Sequence, residues 1–162
     1  MAYELCYSHG DLNVRNVFIR WHAADTILID FSHVGKAPLS RDPSKLDVSL
    51  SFADTLPLMA EEFLRKVYAS PLLPPHKFPR VHARSEALRQ IRTQAFGDGV
   101  SNLEYEQTTV CHLLRFAQAP ADQASSGARG KRKNEIWRRR ILAYELACAL
   151  TEAWPWVRDD RI

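Results

Sequence analysis

Residues 8–16 read SHGDLNVRN, and residues 27–31 read ILIDF. Together they hold two carboxylates, Asp11 and Asp30, and one amide oxygen, on Asn16. Phosphoryl transfer from ATP asks for these groups and for little covalent chemistry from a protein. It needs a carboxylate to orient the attacking hydroxyl and take its proton. It also needs oxygen ligands for the Mg²⁺ ions that neutralise the phosphates. Asp11 and Asn16 stand at the two ends of one tight loop, and Asp30 follows about a dozen residues later.

Short strands must position these groups. YELCYS, NVFIR and TILIDF are rich in β-branched and aromatic residues, as strands are. WHAAD joins the last two and is short enough for a hairpin. Antiparallel pairing of residues 17–20 with 27–30 sets the start of one strand opposite the end of the other. Asn16 is then expected beside Asp30, with Asp11 just before them. Two oxygen ligands for a hard cation and one base would converge there.

From Asp42 onward the chain reads as helices. Asp42 suits an N-cap and Pro43 a first helical position. Leu46, Leu50, Ala53 and Leu56 recur on one face. Pro57 is expected to kink or restart this helix, and Phe63 and Val67 continue the apolar stripe. PLLPPHKFP, residues 71–79, reads as a connector. Residues 85–96 form a helix with Leu88, Ile91, Ala95 and Phe96 inward, ended by Gly97. Ser101 and Glu104 have capping-box spacing before a helix carrying Val110, Leu113, Leu114 and Ala117. Residues 118–133 read as a mobile loop. A last helix over 135–153 offers Ile141, Leu142, Leu146, Leu150 and Trp154 to a core.

H-G-D-x-x-x-x-N, followed at this distance by I-D-F, resembles the catalytic and metal-binding loops of the protein-kinase-like fold. The glycine after His9 is closer to the aminoglycoside phosphotransferase and choline kinase branch. ILIDFSHVGKAPLSRDPSKLDVSL also resembles bacterial phosphotransferase-like domains of the ternary-complex-associated type. The resemblance implies ATP and Mg²⁺ as cofactors and transfer of the γ-phosphoryl group to a hydroxyl, most simply on a small molecule. It implies Asp11 as catalytic base, Asn16 as a Mg²⁺ ligand and Asp30 as the main Mg²⁺ ligand bridging the phosphates. His9 belongs to the same catalytic loop, as a brace. The pattern departs at Asn13, where protein kinases carry a lysine, and at Ser32-His33, where a glycine would follow Phe31. Gly35 is left to supply flexibility.

The fold class expected is α+β: the mostly helical C-terminal lobe of a kinase-like fold, with a small β-hairpin platform. Residues 1–162 form one such lobe, with the catalytic and metal-binding loops in 1–41 and the helices in 42–162. The N-terminal lobe of that family, with its loop over the phosphates, does not fit before residue 5. The chain alone is therefore expected to be incomplete or inactive, completed by that lobe or by a protein partner. Leu5, Tyr7, Val17, Ile27, Ile29 and parts of the Leu46–Leu56 helix are expected to lie bare. Two alternatives are a non-catalytic, kinase-derived interaction module and a basic, nucleic-acid-associated accessory domain.

Composition suits one globular domain, with 46% hydrophobic and 25% charged residues. No apolar run approaches membrane-spanning length, and no signal peptide is read. Cys6, Cys111 and Cys148 are far apart and odd in number, which suggests reduced thiols in a cytoplasmic protein. The net charge is +3, yet residues 129–140 alone hold seven Lys or Arg and one Glu. They carry +6, so the remainder sums to −3. This run reads first as a solvated face, and alternatively as a dock for an anionic partner or nucleic acid. His22, His33, His76, His82 and His112 share no ligand spacing. Trp137, Trp154 and Trp156 read as packing residues. Glu61, Glu62 and residues 104–106 read as solvent-facing charges.

Overall fold

The runs read as strands do pair, but as two separate antiparallel pairs. The computed structural model describes residues 4–20, 22, 25–52, 60–69, 82–118, 130–152 and 154. Among these, β2 (Val17–Arg20) and β3 (Asp25–Leu28) form the hairpin, in register from Val17 opposite Leu28 to Arg20 opposite Asp25. This is two residues from the register expected. An Arg20–Asp25 ion pair closes the outer end. At the inner end the Ile29 N–H donates to the Asn16 carbonyl, 3.0 Å. Asn16 therefore lies opposite Ile29, and Asp30 comes one residue later.

β1 (Leu5–Ser8) pairs with β4 (Gly35–Pro38), a strand not expected from the sequence. It lacks alternation and ends in proline, which a strand end tolerates. Leu5, Tyr7, Ile27 and Ile29 are exposed, as expected, and Val17 is half-buried. Phe18 and Ile19, on opposite faces of β2, are exposed as well. Two-stranded pairs are marginal alone, and the Ile29–Asn16 bond ties the hairpin to the loop before it.

Five helices follow: α1 (Arg41–Phe52), α2 (Glu61–Ala69), α3 (His82–Gly97), α4 (Asn102–Gln118) and α5 (Gly130–Glu152). The described part is thus mostly helical, with two small sheets. Phe52, Leu64, Leu88 and Leu113 are fully buried, with Leu142 and Leu146 of α5 packed against them. Each such side chain contributes about 1.5–3 kcal/mol. Phe63, Val67, Leu88, Ala95 and Val110 are inward as read, and Ile91, Phe96, Leu114 and Ala117 are half-buried. No helix among the described residues is long and apolar enough to cross a membrane.

Some helical details match expectation and others differ, for physical reasons. α3 ends at Gly97, as read, and Gly99 makes the turn that closes it. Gly99 has φ +96°, its N–H donates to the Phe96 carbonyl, and the Val100 N–H reaches back to Ala95. This double bond pattern needs a left-handed residue. Ser101 Oγ does accept the Glu104 N–H, 3.1 Å. The Glu104 carboxylate, however, is buried and accepts the Ser40 N–H, 3.2 Å, so it is no surface charge.

On α5 the buried stripe contains Leu142, Leu146 and Leu150, with Arg139 and Arg140 on the same side. Ile141 and Trp137 therefore point outward, 53% and 57% exposed, against expectation. Arg139 donates to the Phe52 carbonyl, 3.2 Å, and pairs with Glu135. At least two cations of the basic run thus serve the fold. The loop expected over 118–133 is shorter, since Gln118 closes α4 and residues 130–133 belong to α5. Residues 119–129, Pro57, the 71–79 connector and Trp156 lie outside the described residues.

The buried face of α1 is also not the one expected. It holds Ser44, Asp47, Val48, Ser51 and Phe52, while Leu46 and Leu50 are half-buried. Asp47 has no solvent exposure. It accepts from Arg92 Nε (2.7 Å), Tyr68 OH (2.9 Å) and Tyr105 OH (2.9 Å). Arg92 also donates to the Val67 carbonyl, 2.7 Å. Burial disfavours the Arg92 charge, but Asp47 outweighs it and raises the pKa above the ordinary value. Burial, reinforced by the Asp47 charge, holds both tyrosines well above their usual range, hence protonated donors.

Removing one partner of a buried pair strands the other charge. Asp47→Ala should lower unfolding free energy by about 3–5 kcal/mol, measured by urea denaturation. Lys66→Ala, which breaks the exposed pair with Glu62, should stay within about 0.5 kcal/mol. Equal losses would show that the Asp47 network is not what ties the helices together.

Candidate functional site

The loop from Ser8 to Asn16 is held from behind by α1. The Asp42 carboxylate accepts the backbone N–H of His9, 2.6 Å, and of Gly10, 3.0 Å. Ser49 Oγ accepts the Val14 N–H, 3.0 Å. Lys45 pairs with Asp11 Oδ1. Asp42, Lys45 and Ser49 are spaced i, i+3 and i+7, one helical face. Arg41 adds a bond to the Gly10 carbonyl, 3.1 Å. Asp42 lies inside α1, and its carboxylate holds the loop rather than capping its own helix.

His9 is buried, and both ring nitrogens are engaged. Nδ1 faces the Asp11 N–H at 3.4 Å, and Nε2 lies 2.8 Å from the Ile29 carbonyl. An Nδ1 that accepts leaves the hydrogen on Nε2, donated to Ile29. The ring also packs on Phe31, centroids 4.8 Å apart. His9 therefore grips the residues on either side of Asp30. It braces the loop, as the sequence suggests, and neither nitrogen is left to move a proton.

Asp11 and Asn16 are brought together. Asn16 Nδ2 donates to the Asp11 carbonyl, 2.9 Å, and to Oδ2, 3.3 Å. Asn13 Nδ2 does the same at 2.9 and 3.2 Å. Asn16 itself is buried, with its amide nitrogen turned to Asp11. Asp30 is exposed, in the left-handed region at φ 61°, ψ 62°. Aspartate tolerates that conformation better than most residues. Its Oδ1 accepts from Ser32 Oγ, 2.6 Å. This bond, helped by the nearby His33 and His9, keeps the carboxyl below the usual range and so ionised. Asn16 and Asp30 are linked through the backbone at Ile29, and no described hydrogen bond joins their side chains.

An amide oxygen and an ionised carboxylate are hard donors that suit Mg²⁺. That ion commonly takes one or two protein ligands and fills its shell with water and substrate phosphates. Among the described residues, no three His, Cys, Asp or Glu side chains gather to hold a metal without such help. His22 and His33 are exposed, and the His82 side chain and His76 lie outside the described residues. His112 is buried on α4, with Nε2 3.2 Å from the Arg41 carbonyl. Burial, then the Lys45 charge, pushes its pKa down to about 4. It serves the α1–α4 contact as a neutral ring.

The sequence did not single out Lys45 or Ser49, and it read Asp42 as a cap. The signal was available as a polar stripe along α1, beside a face searched only for leucines. In comparisons with family models, curated proteins and solved structures, nothing matches this chain.

Gly10 is where the loop admits no side chain. It has φ +82°, and a Cβ there would stand 2.1 Å from the His33 carbonyl oxygen. Gly99 has φ +96° with open space around it. Gly99→Ala should cost about 1–2 kcal/mol from the backbone alone. Gly10→Ala should cost clearly more, because the 32–33 segment must also move. Similar costs in urea denaturation would contradict the close approach of the two loops.

The His112 pKa lies below its unfolded value, ordinarily near 6.5. The unfolded chain then binds the proton first as pH falls. Stability contributed by the neutral ring is complete above pH 6.5 and is lost towards pH 4, by at most about 3 kcal/mol. His112→Gln should remove this part of the acid sensitivity. Parallel stability curves for the two chains between pH 7 and 4 would contradict the buried neutral ring.

Proposed function

We propose that this chain carries the hydroxyl-activating and metal-binding half of a kinase-type phosphotransferase, the C-terminal lobe of a kinase-like fold. The reaction is transfer of the γ-phosphoryl group of ATP to a hydroxyl, on a small molecule. Asp11 is the base, Asn16 and Asp30 are the Mg²⁺ ligands, and His9 holds the two loops together. The observation that carries this is the linkage of the two segments. Asp11 and Asn16 meet through direct hydrogen bonds, and Asp30 is presented ionised from a segment tied to them at Ile29 and Phe31.

Mg²⁺, when bound, supplies charge neutralisation at the phosphates. The protein's own part is orientation. A carboxylate offers about four acceptor positions; Lys45, Asn13 and Asn16 occupy three on Asp11. One remains for the acceptor hydroxyl. The bare residues on β1, β2 and β3 support a covering surface, a second lobe or a protein partner, that completes the ATP site. Large exposed apolar patches usually mark interfaces. The three free cysteines suit a reducing compartment, the cytoplasm.

A non-catalytic module is favoured by one observation, the number of donors already on Asp11, which would serve a purely structural loop as well. In the nucleic-acid alternative, Arg139 and Arg140 are buried and the contacts would fall to the other cations of the run.

Metal binding separates these readings. Mn²⁺, used as a paramagnetic stand-in for Mg²⁺, should bind weakly and be detected by water-proton relaxation. Asp30→Asn and Asn16→Ala should each weaken it by roughly tenfold or more, while the exposed Asp98→Asn should not. Unchanged binding in both site variants would remove the phosphotransferase assignment.

A further inference from the structure

Lys45 comes from neither the loop nor the segment carrying Asp30. It rises from α1, between the two residues that hold the loop backbone and on the helix anchored behind by Asp47. Its ammonium pairs with Asp11 Oδ1, yet the two side chains keep 25% and 28% of their exposure. A pair that keeps this much contact with water is partly screened, and its stabilisation is modest. Its place at the acceptor-facing carboxylate asks for another explanation. An ammonium has three donors, and Asp11 takes one of them. The loop itself has Asn13 between Asp11 and Asn16, and that amide is turned onto Asp11.

Phosphoryl transfer places negative charge on the oxygens of the moving group, next to the base. A cation held beside Asp11 Oδ1 is within reach of a group that transfers next to this carboxylate. We propose that Lys45 is the phosphoryl-binding cation of this site, taking an oxygen of the transferred group of a magnesium-bound polyphosphate while still held by Asp11. This rests on the phosphotransferase assignment. The atoms balance without Lys45 changing protonation: the bond from the γ-phosphorus to the bridging oxygen breaks and ADP leaves. The bond to the acceptor oxygen forms, and its proton passes to Asp11. Lysine suits the role as a mobile point charge for phosphate.

Magnesium tripolyphosphate is the probe, titrated calorimetrically into the full chain at fixed ionic strength. Lys45→Met should weaken binding by about tenfold or more. Lys45→Arg should restore most of it, which a purely structural role would not require. Lys66→Met, the same charge change on α2, should leave it unaltered. Thermal unfolding of each variant confirms that the fold is kept. Equal affinity in Lys45→Met and the parent chain overturns the role of Lys45; if Asp30→Asn still weakens binding, the phosphotransferase assignment survives. Loss in Lys45→Met without loss in Asp30→Asn supports Lys45 and removes the metal role of Asp30. Equal losses in Lys45→Met and Lys66→Met overturn the proposal as an effect of net charge. No binding by the parent chain at millimolar probe overturns it as well.

Discussion

A carboxylate without solvent contact persists in a protein only when its charge and its acceptor positions are matched. Asp47 meets that condition with one guanidinium and two phenols, from Arg92 on α3, Tyr68 on α2 and Tyr105 on α4. Four helices therefore meet at one side chain of α1. Apolar contacts alone would let α1 rotate or slide among similar packings. A buried charge with directional partners has one arrangement that satisfies it, and every other leaves an ion stranded.

That constraint reaches the candidate site through the geometry of a helix. Ser44, Asp47, Val48 and Ser51 face inward, so Asp42, Lys45 and Ser49 must face the loop. Four loop groups are then held from a single rigid element: the N–H groups of His9 and Gly10, the Asp11 carboxylate and the Val14 N–H. The C-terminal end of α1 is fixed too. Arg84 donates to the carbonyls of Leu50 and Ser51, and Arg139 to that of Phe52. Cations at the last carbonyls of a helix also match its dipole. α1 is thus set in rotation by Asp47 and held at its far end by two arginines. A site built on such an element is more exact than one built on loops alone.

What the sequence disclosed follows the range of the interactions. Asp11, Asn16 and the bracing role of His9 were legible, because a short loop brings them together by local geometry. The hairpin was legible in kind but not in register, since pairing by β propensity says little about which residue is opposite which. Asp42 was misread because it has the right type for a cap, while its partners lie 32 and 33 residues away. Glu104 was misread in the same way, its acceptor role being for Ser40. The face of α1 was misread because two leucines outvoted an aspartate whose partners are on three other helices. On α5, Arg139 and Arg140 turn inward where hydropathy would place Ile141 and Trp137. On α1 and α5, long-range polar bonds of Asp47 and Arg139 overrode a local apolar pattern.

The same balance of donors bears on what the loop can do. Three donors, from Lys45, Asn13 and Asn16, converge on the Asp11 carboxylate. In the proposed phosphoryl transfer, orientation is the larger part of catalysis. A loosely held carboxylate would present its lone pair over a wide range of angles. One clamped by Lys45, Asn13 and Asn16 presents its remaining position along one direction. Ser8, which accepts the Gly10 N–H at 3.0 Å, and Gly10, pressed against His33, give the backbone under Asp11 the same rigidity. That rigidity suits the proposed phosphoryl transfer, in which charge is spread over the oxygens of the moving group and positioning does most of the work.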